Sequence, residues 1–582
     1  MKARKFTAAA ALVMQLAAVP LFMGPIALVP RAAEAQGLAG AYLAGRQARI
    51  TGDYQAAADY YTLALARDPS NQALMESTAV AFVSLGRIDR ALPVARAMED
   101  AGFDNQVAQM ALMADEAWNG RYDDLLSRIA DKRGIGDLVD GLVEGWALLG
   151  KGQMADAITA FDKQAEAPGQ RGFALYHKGL ALAMVGDFES AEEIFGATGP
   201  GSAVQTRRGA IAHIQILSQL DRNTDALAAL DAAFSGSLDP ELAAIKKGLE
   251  AGQTLDFDTV TSVRDGIAEV LYSVAGALRG EARDSDTILF ARLAEYLRPG
   301  HVDAVLLTAE ILDDLGQYDL AVETYRRVPR EDPAFHAAEL GRAEALRKED
   351  KPDAAVEVLQ QLTQTNGDLP VVYTTLGDML RSLDRYKEAA AAYDKALTLF
   401  PEETGGQWFI YYARGICHER EGDWPRAEAD FRKALEMDPE RPEVLNYLGY
   451  SMVEKQESLD EALGMIERAV AARPDSGYIL DSLGWAYYRL GRYAEAVDPM
   501  ERAAELMSVD PIVNDHLGDV YWAVGRQREA EFQWKRALSF VDYGETTEDA
   551  DPDRIRRKIE VGLDRVLAEE GAPPLKVAGD GG

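Results

Sequence analysis

The sequence predicts an all-α fold, a superhelical solenoid of about fourteen stacked helix pairs. The chain has 582 residues, too many for one ordinary core, so it forms either several domains or one array that lengthens without thickening. A pattern of small, aromatic and proline residues recurs at fixed spacings and favours the array. A recurrent turn of glycine, a polar residue and an aromatic residue separates the two helices predicted in each unit.

The repeated pattern consists of glycine, alanine, an aromatic residue, a second alanine and proline. It occurs as Gly45, Ala57, Tyr61, Ala64 and Pro69, as Gly377, Ala389, Tyr393, Ala396 and Pro401, and as Gly415, Ala427, Phe431, Ala434 and Pro439. These spacings are those of the tetratricopeptide repeat. Small residues let the paired helices approach, the aromatic residue fills the remaining gap, and proline ends the second helix.

The pattern varies along the chain and divides it into five segments. Between residues 241 and 300 it is lost, and amphipathic helices are predicted over 266–279 and 285–297. A basic and then apolar helix over 554–567 is expected to cap the last repeat. The predicted segments are a signal peptide (1–35), an N-terminal array (36–240), an irregular helical joint (241–300), a C-terminal array (301–545), and a capping helix with a disordered tail (546–582).

The N-terminal segment has the pattern of a secretory signal peptide. Lys2, Arg4 and Lys5 precede an apolar run over 7–30, and Ala33 and Ala35 supply the small residues of a cleavage site. We therefore expect export to the periplasm. Because the apolar run is longer than usual, an uncleaved inner-membrane anchor is the alternative to cleavage. Peripheral association with the membrane is a separate alternative.

Composition and motifs argue against chemistry on this chain. The formal net charge of −34 disfavours nucleic acid as a partner. The single cysteine, Cys417, rules out a disulfide framework or a thiolate zinc site, and the six histidines show no metal-ligand spacing. Nucleotide-binding loops and nucleophile motifs are absent. We predict a non-enzymatic protein without cofactor or metal; an enzyme would need its site within 241–300.

A candidate binding surface follows from the repeat register. First helices line the inner groove of such arrays, and in the last four full units they carry aromatic and acidic residues. Those predicted to face the groove are Tyr412, Asn446, Tyr450, Tyr478, Asp481, Trp485, Tyr488, Asp515, Asp519 and Trp522. Such a groove suits an extended basic or backbone-donating segment and disfavours a free peptide carboxylate. The alternative is that the aromatic residues only seal neighbouring first helices together.

Four strings in the C-terminal third carry more than the general repeat pattern. They are Tyr411-Tyr412-Ala413-Arg414-Gly415, Leu445-Asn446-Tyr447-Leu448-Gly449-Tyr450, Asp481-Ser482-Leu483-Gly484-Trp485 and His516-Leu517-Gly518-Asp519-Val520-Tyr521-Trp522. Over about 370–540 the chain resembles a bacterial family of exported tetratricopeptide proteins. That family includes an outer-membrane lipoprotein adaptor of a carboxyl-terminal-processing protease.

The resemblance implies a periplasmic scaffold that brings a cell-envelope protease to peptidoglycan hydrolases. This chain departs from the adaptor because it lacks the cysteine that would carry a lipid. The alternative function is a component of the machinery that synthesises or exports envelope polysaccharide, where helical repeats hold glycan enzymes. Glycan binding by Trp485 and Trp522 would distinguish the two.

Overall fold

The computed structural model describes residues 38–199, 201–203, 206–234, 238–400, 402–541 and 550–575. Within these ranges the chain forms 31 α-helices and one short 3₁₀ turn, Gly405–Gln407. The all-α prediction is therefore confirmed. The chain divides into two compact units, unit 1 (residues 1–317) and unit 2 (residues 318–582). The predicted signal peptide, Pro401 and the end of the predicted tail lie outside the described residues.

Unit 1 consists of helices stacked in chain order. They are α1 (Leu38–Ile50), α2 (Tyr54–Leu65), α3 (Gln72–Ser84), α4 (Ile88–Asp100), α5 (Gln106–Trp118), α6 (Tyr122–Ala130), α7 (Asp137–Gly150), α8 (Met154–Ala165), α9 (Arg171–Met184), α10 (Phe188–Phe195), α11 (Arg207–Gln219), α12 (Asn223–Ala233), α13 (Pro240–Glu250), α14 (Val263–Leu278), α15 (Asp284–Leu297) and α16 (Val302–Asp314).

Unit 2 consists of one leading helix, six regular pairs and a C-terminal helix pair. Its helices are α17 (Tyr318–Tyr325), α18 (Phe335–Lys348), α19 (Pro352–Thr365), α20 (Pro370–Ser382), α21 (Tyr386–Leu399), α22 (Trp408–Arg420), α23 (Trp424–Met437), α24 (Pro442–Lys455), α25 (Leu459–Ala472), α26 (Gly477–Arg489), α27 (Tyr493–Leu506), α28 (Pro511–Ala523), α29 (Gln527–Phe540), α30 (Pro552–Val561) and α31 (Leu563–Glu569).

The glycine of each repeat allows close contact with the aromatic residue of the paired helix. A Cβ added to Gly415 would lie 2.7 Å from a ring carbon of Phe431, and one added to Gly377 would lie 2.6 Å from Tyr393. Both distances are shorter than carbon–carbon contact permits. The spacing in the sequence therefore records a physical contact between the two helices of a pair.

The turn between paired helices is closed by a left-handed glycine, as the sequence predicts. Gly52, Gly186 and Gly491 have φ values of 77°, 87° and 76°. At the first of these turns Asp53 also caps the following helix, because its carboxylate accepts a hydrogen bond from the backbone N–H of Ala56 at 2.8 Å. The turn pattern therefore fixes both the end of one helix and the start of the next.

The two helices predicted between residues 241 and 300 are α14 and α15, and they form an antiparallel hairpin. This hairpin packs against earlier helices of unit 1: α14 contacts α5, α7 and α9, and α15 contacts α3 and α5. Gly266 makes the approach possible, because a Cβ there would lie 2.4 Å from the indole of Trp146. The segment predicted to be a joint therefore folds back over the first helices of its own unit.

The C-terminal helix differs from the prediction because it is two helices, α30 and α31. Gly562 separates them with a φ of 83°, a conformation that side chains other than glycine rarely adopt. A Cβ at Gly562 would also lie 2.5 Å from the indole of Trp522. Close packing against Trp522 therefore requires glycine at this position. None of the helices in the described ranges combines the length and apolar character needed to cross a bilayer.

Candidate protein-binding surface

In unit 2 the first helices of successive pairs form a continuous wall. The helices α18, α20 and α22 contact one another in order, as do α24, α26 and α28. The aromatic ring of Tyr412 on α22 lies 5.8 Å from that of Tyr447 on α24, which joins the two groups. We name this surface the first-helix wall of unit 2. It carries all the residues that the sequence places in the groove.

The middle of this wall presents exposed and unsatisfied groups. Tyr478 has 43% of its surface exposed, and burial of the remainder together with the nearby Glu443 carboxylate raises its pKa. Asn446 is only 6% exposed, yet its Oδ1 atom has no hydrogen-bond partner among the described residues. Tyr450 is half-buried beside it on α24. Tyr478 and Tyr450 therefore remain close to solvent, and Asn446 has an unpartnered Oδ1 among the described residues.

Two exposed apolar residues of the wall were not predicted from the sequence. Val371 on α20 is 46% exposed and Phe409 on α22 is 41% exposed. Each lies six residues before the repeat glycine of its helix. Tyr478 lies six residues before Gly484, so it occupies the same register. Applying that register to every first helix would have found both residues. Together with Tyr478 they place a large apolar side chain at the same position on three first helices.

Trp485 and Tyr488 hold neighbouring helices together. The indole of Trp485 stacks on Tyr488 at 4.8 Å and on His516 of α28 at 4.0 Å. Its ring N–H donates a hydrogen bond to Glu454 of α24. These contacts are those of a side chain that seals α24, α26 and α28 to one another. A role for Trp485 and Tyr488 in binding stays a prediction.

Asp481 is also engaged within the wall. It is 7% exposed, and its carboxylate lies 3.0 Å from Nδ1 of His516. Burial alone would lower the pKa of His516, but the Asp481 carboxylate outweighs it and raises that pKa. The pair therefore links α26 to α28.

The three remaining predicted residues lie beneath the C-terminal helices. Nζ of Lys558, a side chain with no exposed surface, lies 2.8 Å from Asp515 and 2.7 Å from Asp519. The indole N–H of Trp522 donates to Asp564 of α31 at 2.9 Å. Asp515 and Asp519 are 5% and 1% exposed, so they form no open acidic rim. The sequence analysis missed this because it did not pair the basic residues of the cap with these carboxylates.

In unit 1 the hairpin of α14 and α15 packs against α5, α7 and α9, the helices that correspond to the first-helix wall of unit 2. The ring of Trp118 on α5 lies 5.2 Å from that of Tyr296 on α15, and Tyr176 on α9 donates to Glu269 of α14 at 2.9 Å. Arg292 of α15 donates to the backbone carbonyl of Ser84 on α3 at 3.1 Å. Self-packing therefore occupies the part of unit 1 that corresponds to the exposed wall of unit 2.

In the ranges that the structure describes, histidine, cysteine and carboxylate side chains form no cluster of three that could hold a metal ion. Cys417 is buried, and burial raises the pKa of its thiol to about 11. At neutral pH it is therefore a protonated thiol, which is a poor nucleophile.

Family models of the tetratricopeptide repeat match five segments of the chain. The matched residues are 42–105, 287–334, 368–440, 412–476 and 453–511. These segments are tetratricopeptide repeats. The predicted solenoid class is confirmed, and the matches indicate no enzymatic family.

Two curated proteins illustrate how far the similarity extends. A TPR repeat-containing protein of Pseudomonas aeruginosa is 29% identical over 178 residues, 30% of this chain. Tetratricopeptide repeat protein 13 of Homo sapiens is 27% identical over 187 residues, 31% of this chain. The chain spans only 29% and 21% of the lengths of these two relatives.

Solved structures of repeat proteins also resemble the chain. A tetratricopeptide repeat protein from Parabacteroides merdae is 16% identical and has a TM-score of 0.36; the match covers 44% of this chain and 97% of that one. YrrB, described as a TPR protein with an unusual peptide-binding site, is 18% identical with a TM-score of 0.27. That match covers 32% of this chain and 93% of YrrB.

Proposed function

We propose that the protein is a non-enzymatic scaffold that binds a segment of another protein on the first-helix wall of unit 2, between α20 and α26. The observation that carries the proposal is the row of Val371, Phe409 and Tyr478, each more than two-fifths exposed in the same register of its helix. Tetratricopeptide repeats generally mediate protein–protein interactions, and exposed aromatic residues give large contact area at small entropic cost.

The polar groups beside this row define what the bound segment supplies. The exposed Tyr478 side chain carries a hydroxyl group that can exchange hydrogen bonds with the backbone of a bound segment. Oδ1 of Asn446 is buried as well as unpartnered among the described residues, so a segment on the surface does not reach it. Glu443, next to Tyr478, pairs with Arg473 at 2.5 Å, so its charge is already neutralised within the wall. We therefore expect an extended segment with apolar side chains and an accessible backbone.

The location and the partner class extend this proposal. The N-terminal sequence supports export to the periplasm, and the resemblance over about 370–540 supports a role as an adaptor. On this view the bound segment belongs to a carboxyl-terminal-processing protease or to one of the envelope hydrolases that it degrades.

The wall can be tested by affinity capture with matched variants. The double variant Phe409→Ala, Tyr478→Ala removes two exposed rings, whereas Phe532→Ala removes a ring on α29 that is 63% exposed and lies outside the wall. A partner recovered by the wild type should be recovered equally by Phe532→Ala. The double variant should bind it about thirtyfold more weakly, as expected for the loss of a binding hot spot.

Equal binding of that partner by the double variant would refute the wall as the binding surface. Circular dichroism and the melting temperature of each variant establish that folding is intact. Cell fractionation and N-terminal sequencing test export separately: the mature chain should be periplasmic and begin at Gln36. A chain found only in the cytoplasm would contradict the adaptor role without affecting the wall.

A further inference from the structure

Unit 1 contains a cavity of about 770 Å³ between α9, α11 and α14. We name it the unit 1 cavity. Its walls include two aromatic rings from α9 and one from α14, together with small and polar residues. Those used below are Arg171, Phe173, Tyr176, Tyr272, Ser273 and Gly276. Its size falls within the range of pockets that hold small organic molecules.

The unit 1 cavity exists because α14 packs closely against unit 1 near Gly266 but not near Gly276. Around Gly266 the helix packs directly against Trp146, but a Cβ added to Gly276 would have no atom within 4 Å. Glycine inside a helix costs about 1 kcal/mol relative to alanine. At Gly266 close packing explains the glycine, whereas Gly276 has no such contact and leaves the cavity open.

The charged groups on the floor of the cavity satisfy one another. Glu269 is 1% exposed and accepts hydrogen bonds from Tyr176 at 2.9 Å and from Arg208 at 2.9 Å. Nε2 of His301 lies 3.2 Å from the same carboxylate, and Arg208 also pairs with Asp303. This floor is therefore a closed network that anchors the helices and does not need a ligand for neutralisation.

One cation beside the cavity is left over from these pairings. Arg207 pairs with Asp239 at 2.6 Å and with Glu241 at 2.5 Å. By contrast, within the described part of the chain the Arg171 side chain makes no ion pair and no hydrogen bond. Arg207 and Arg208 each pair with two carboxylates, so Arg171 is the one arginine of the lining without a counter-charge among the described residues. An anion is therefore favoured at this position.

We infer that the unit 1 cavity binds a small organic acid. Its apolar body lies among Phe173, Tyr272 and Gly276, and its carboxylate pairs with Arg171 at the rim. Tyr272 and Ser273 offer hydroxyl groups for additional hydrogen bonds. This site is separate from the protein-binding wall of unit 2, and its ligand is a different chemical class.

Isothermal titration calorimetry of the full chain with octanoate and 1-octanol tests the inference, since the two probes share a chain and differ in charge. The wild type should bind octanoate about fivefold more tightly than 1-octanol, as expected for one exposed ion pair. Arg171→Gln should abolish that difference.

Gly276→Leu should weaken the binding of both probes at least about tenfold, because its side chain fills the cavity. Gly464→Leu is the control: Gly464 also has no atom within 4 Å of an added Cβ, but it lies on α25.

The inference fails if octanoate gives no binding heat, if the two probes bind equally to the wild type, or if Gly276→Leu binds octanoate like the wild type. Arg171 is exposed, so Arg171→Gln is expected to fold and keeps the charge requirement testable even if Gly276→Leu is destabilised. Melting temperatures of all three variants identify such destabilisation. Failure here leaves the proposal for unit 2 unaffected, because its partner-capture assay uses different residues.

Discussion

At the scale of single residues, the contact between a first-helix glycine and the aromatic ring of the paired helix sets how closely each pair packs. The repeat spacing predicted this contact, because glycine and aromatic residue recur together through the chain. Other glycines serve no such purpose: Gly464 on α25 has open space where a side chain would lie. The sequence alone does not distinguish these two kinds of glycine, since the difference is the position of a ring distant in sequence.

Two substitutions in unit 2 measure this difference. Gly415→Ala should destabilise the unit by about 1–3 kcal/mol, because the new methyl group would overlap the ring of Phe431. Gly464→Ala should be neutral or stabilising by up to about 1 kcal/mol, because alanine favours the helix and meets no atom. Urea denaturation followed by circular dichroism gives both values. Equal destabilisation by the two changes would contradict the packing argument.

At the scale of helices, α30 and α31 close the end of unit 2 by placing a cation between two carboxylates. Lys558 has no exposed surface, and three hydrogen bonds of 2.7–2.8 Å join its ammonium group to Asp515 and Asp519. Arg554 adds an ion pair with Glu570, the residue that follows α31, at 2.8 Å. The sequence predicted a capping helix from its basic and apolar character. The pairing required the fold, because it joins residues about forty positions apart.

Lys558→Met should loosen this cap. The change leaves two buried carboxylates without their cation, and removal of one partner from a buried ion pair costs about 3–5 kcal/mol. Hydrogen exchange should therefore rise across α30 and α31, and the urea midpoint of unit 2 should fall. Lys535→Met is the matched control, since its pair with Glu531 is largely exposed and contributes under about 0.5 kcal/mol.

A second substitution distinguishes lost charge pairing from lost packing. In the background of Lys558→Met, Asp515→Asn together with Asp519→Asn removes the uncompensated negative charge. This triple variant should recover part of the lost stability. If it is no more stable than Lys558→Met alone, the cap depends on packing and the ion pair contributes little.

At the scale of the whole molecule, the two units differ in the histidines that they bury. In unit 1, Trp146 donates to Nδ1 of His177 at 3.2 Å, and burial lowers the pKa of His177 to about 4. In unit 2, the Asp481 carboxylate raises the pKa of His516 despite its burial. Both histidines lie on first helices, but burial outweighs the one carboxylate that acts on His177, that of Glu269, whereas three carboxylates act on His516.

These opposite shifts predict opposite pH dependence. His177 is protonated near pH 6.5 in the unfolded chain but only near pH 4 in the folded chain. The free energy of unfolding of unit 1 should therefore fall by about 3 kcal/mol as the pH falls from 6.5 to 4. The pKa of His516 is above 6.5 in the folded chain. Its contribution to the stability of unit 2 is therefore complete below pH 6.5 and is lost as the pH rises through the raised pKa.

Hydrogen exchange resolved by peptide and corrected for the intrinsic rate measures each unit separately. Between pH 5 and pH 7.5, protection should increase in unit 1 and decrease in unit 2. His177→Gln should flatten the dependence of unit 1, and His516→Gln that of unit 2. Parallel changes in the two units, unaffected by these substitutions, would show that other groups control the pH response.

The sequence by itself determined the helical repeat, its turns and the position of most helices, because glycine, alanine, aromatic and proline residues act within one unit or between adjacent units. It also indicated which surface of unit 2 to consider. Only the tertiary structure decided which residues of that surface are exposed to solvent. Lys558 covers Asp515 and Asp519, His516 engages Asp481, and the α14–α15 hairpin fills part of unit 1. Each of these contacts joins distant segments whose pairing is set by shape and charge in three dimensions, which a repeat pattern does not encode.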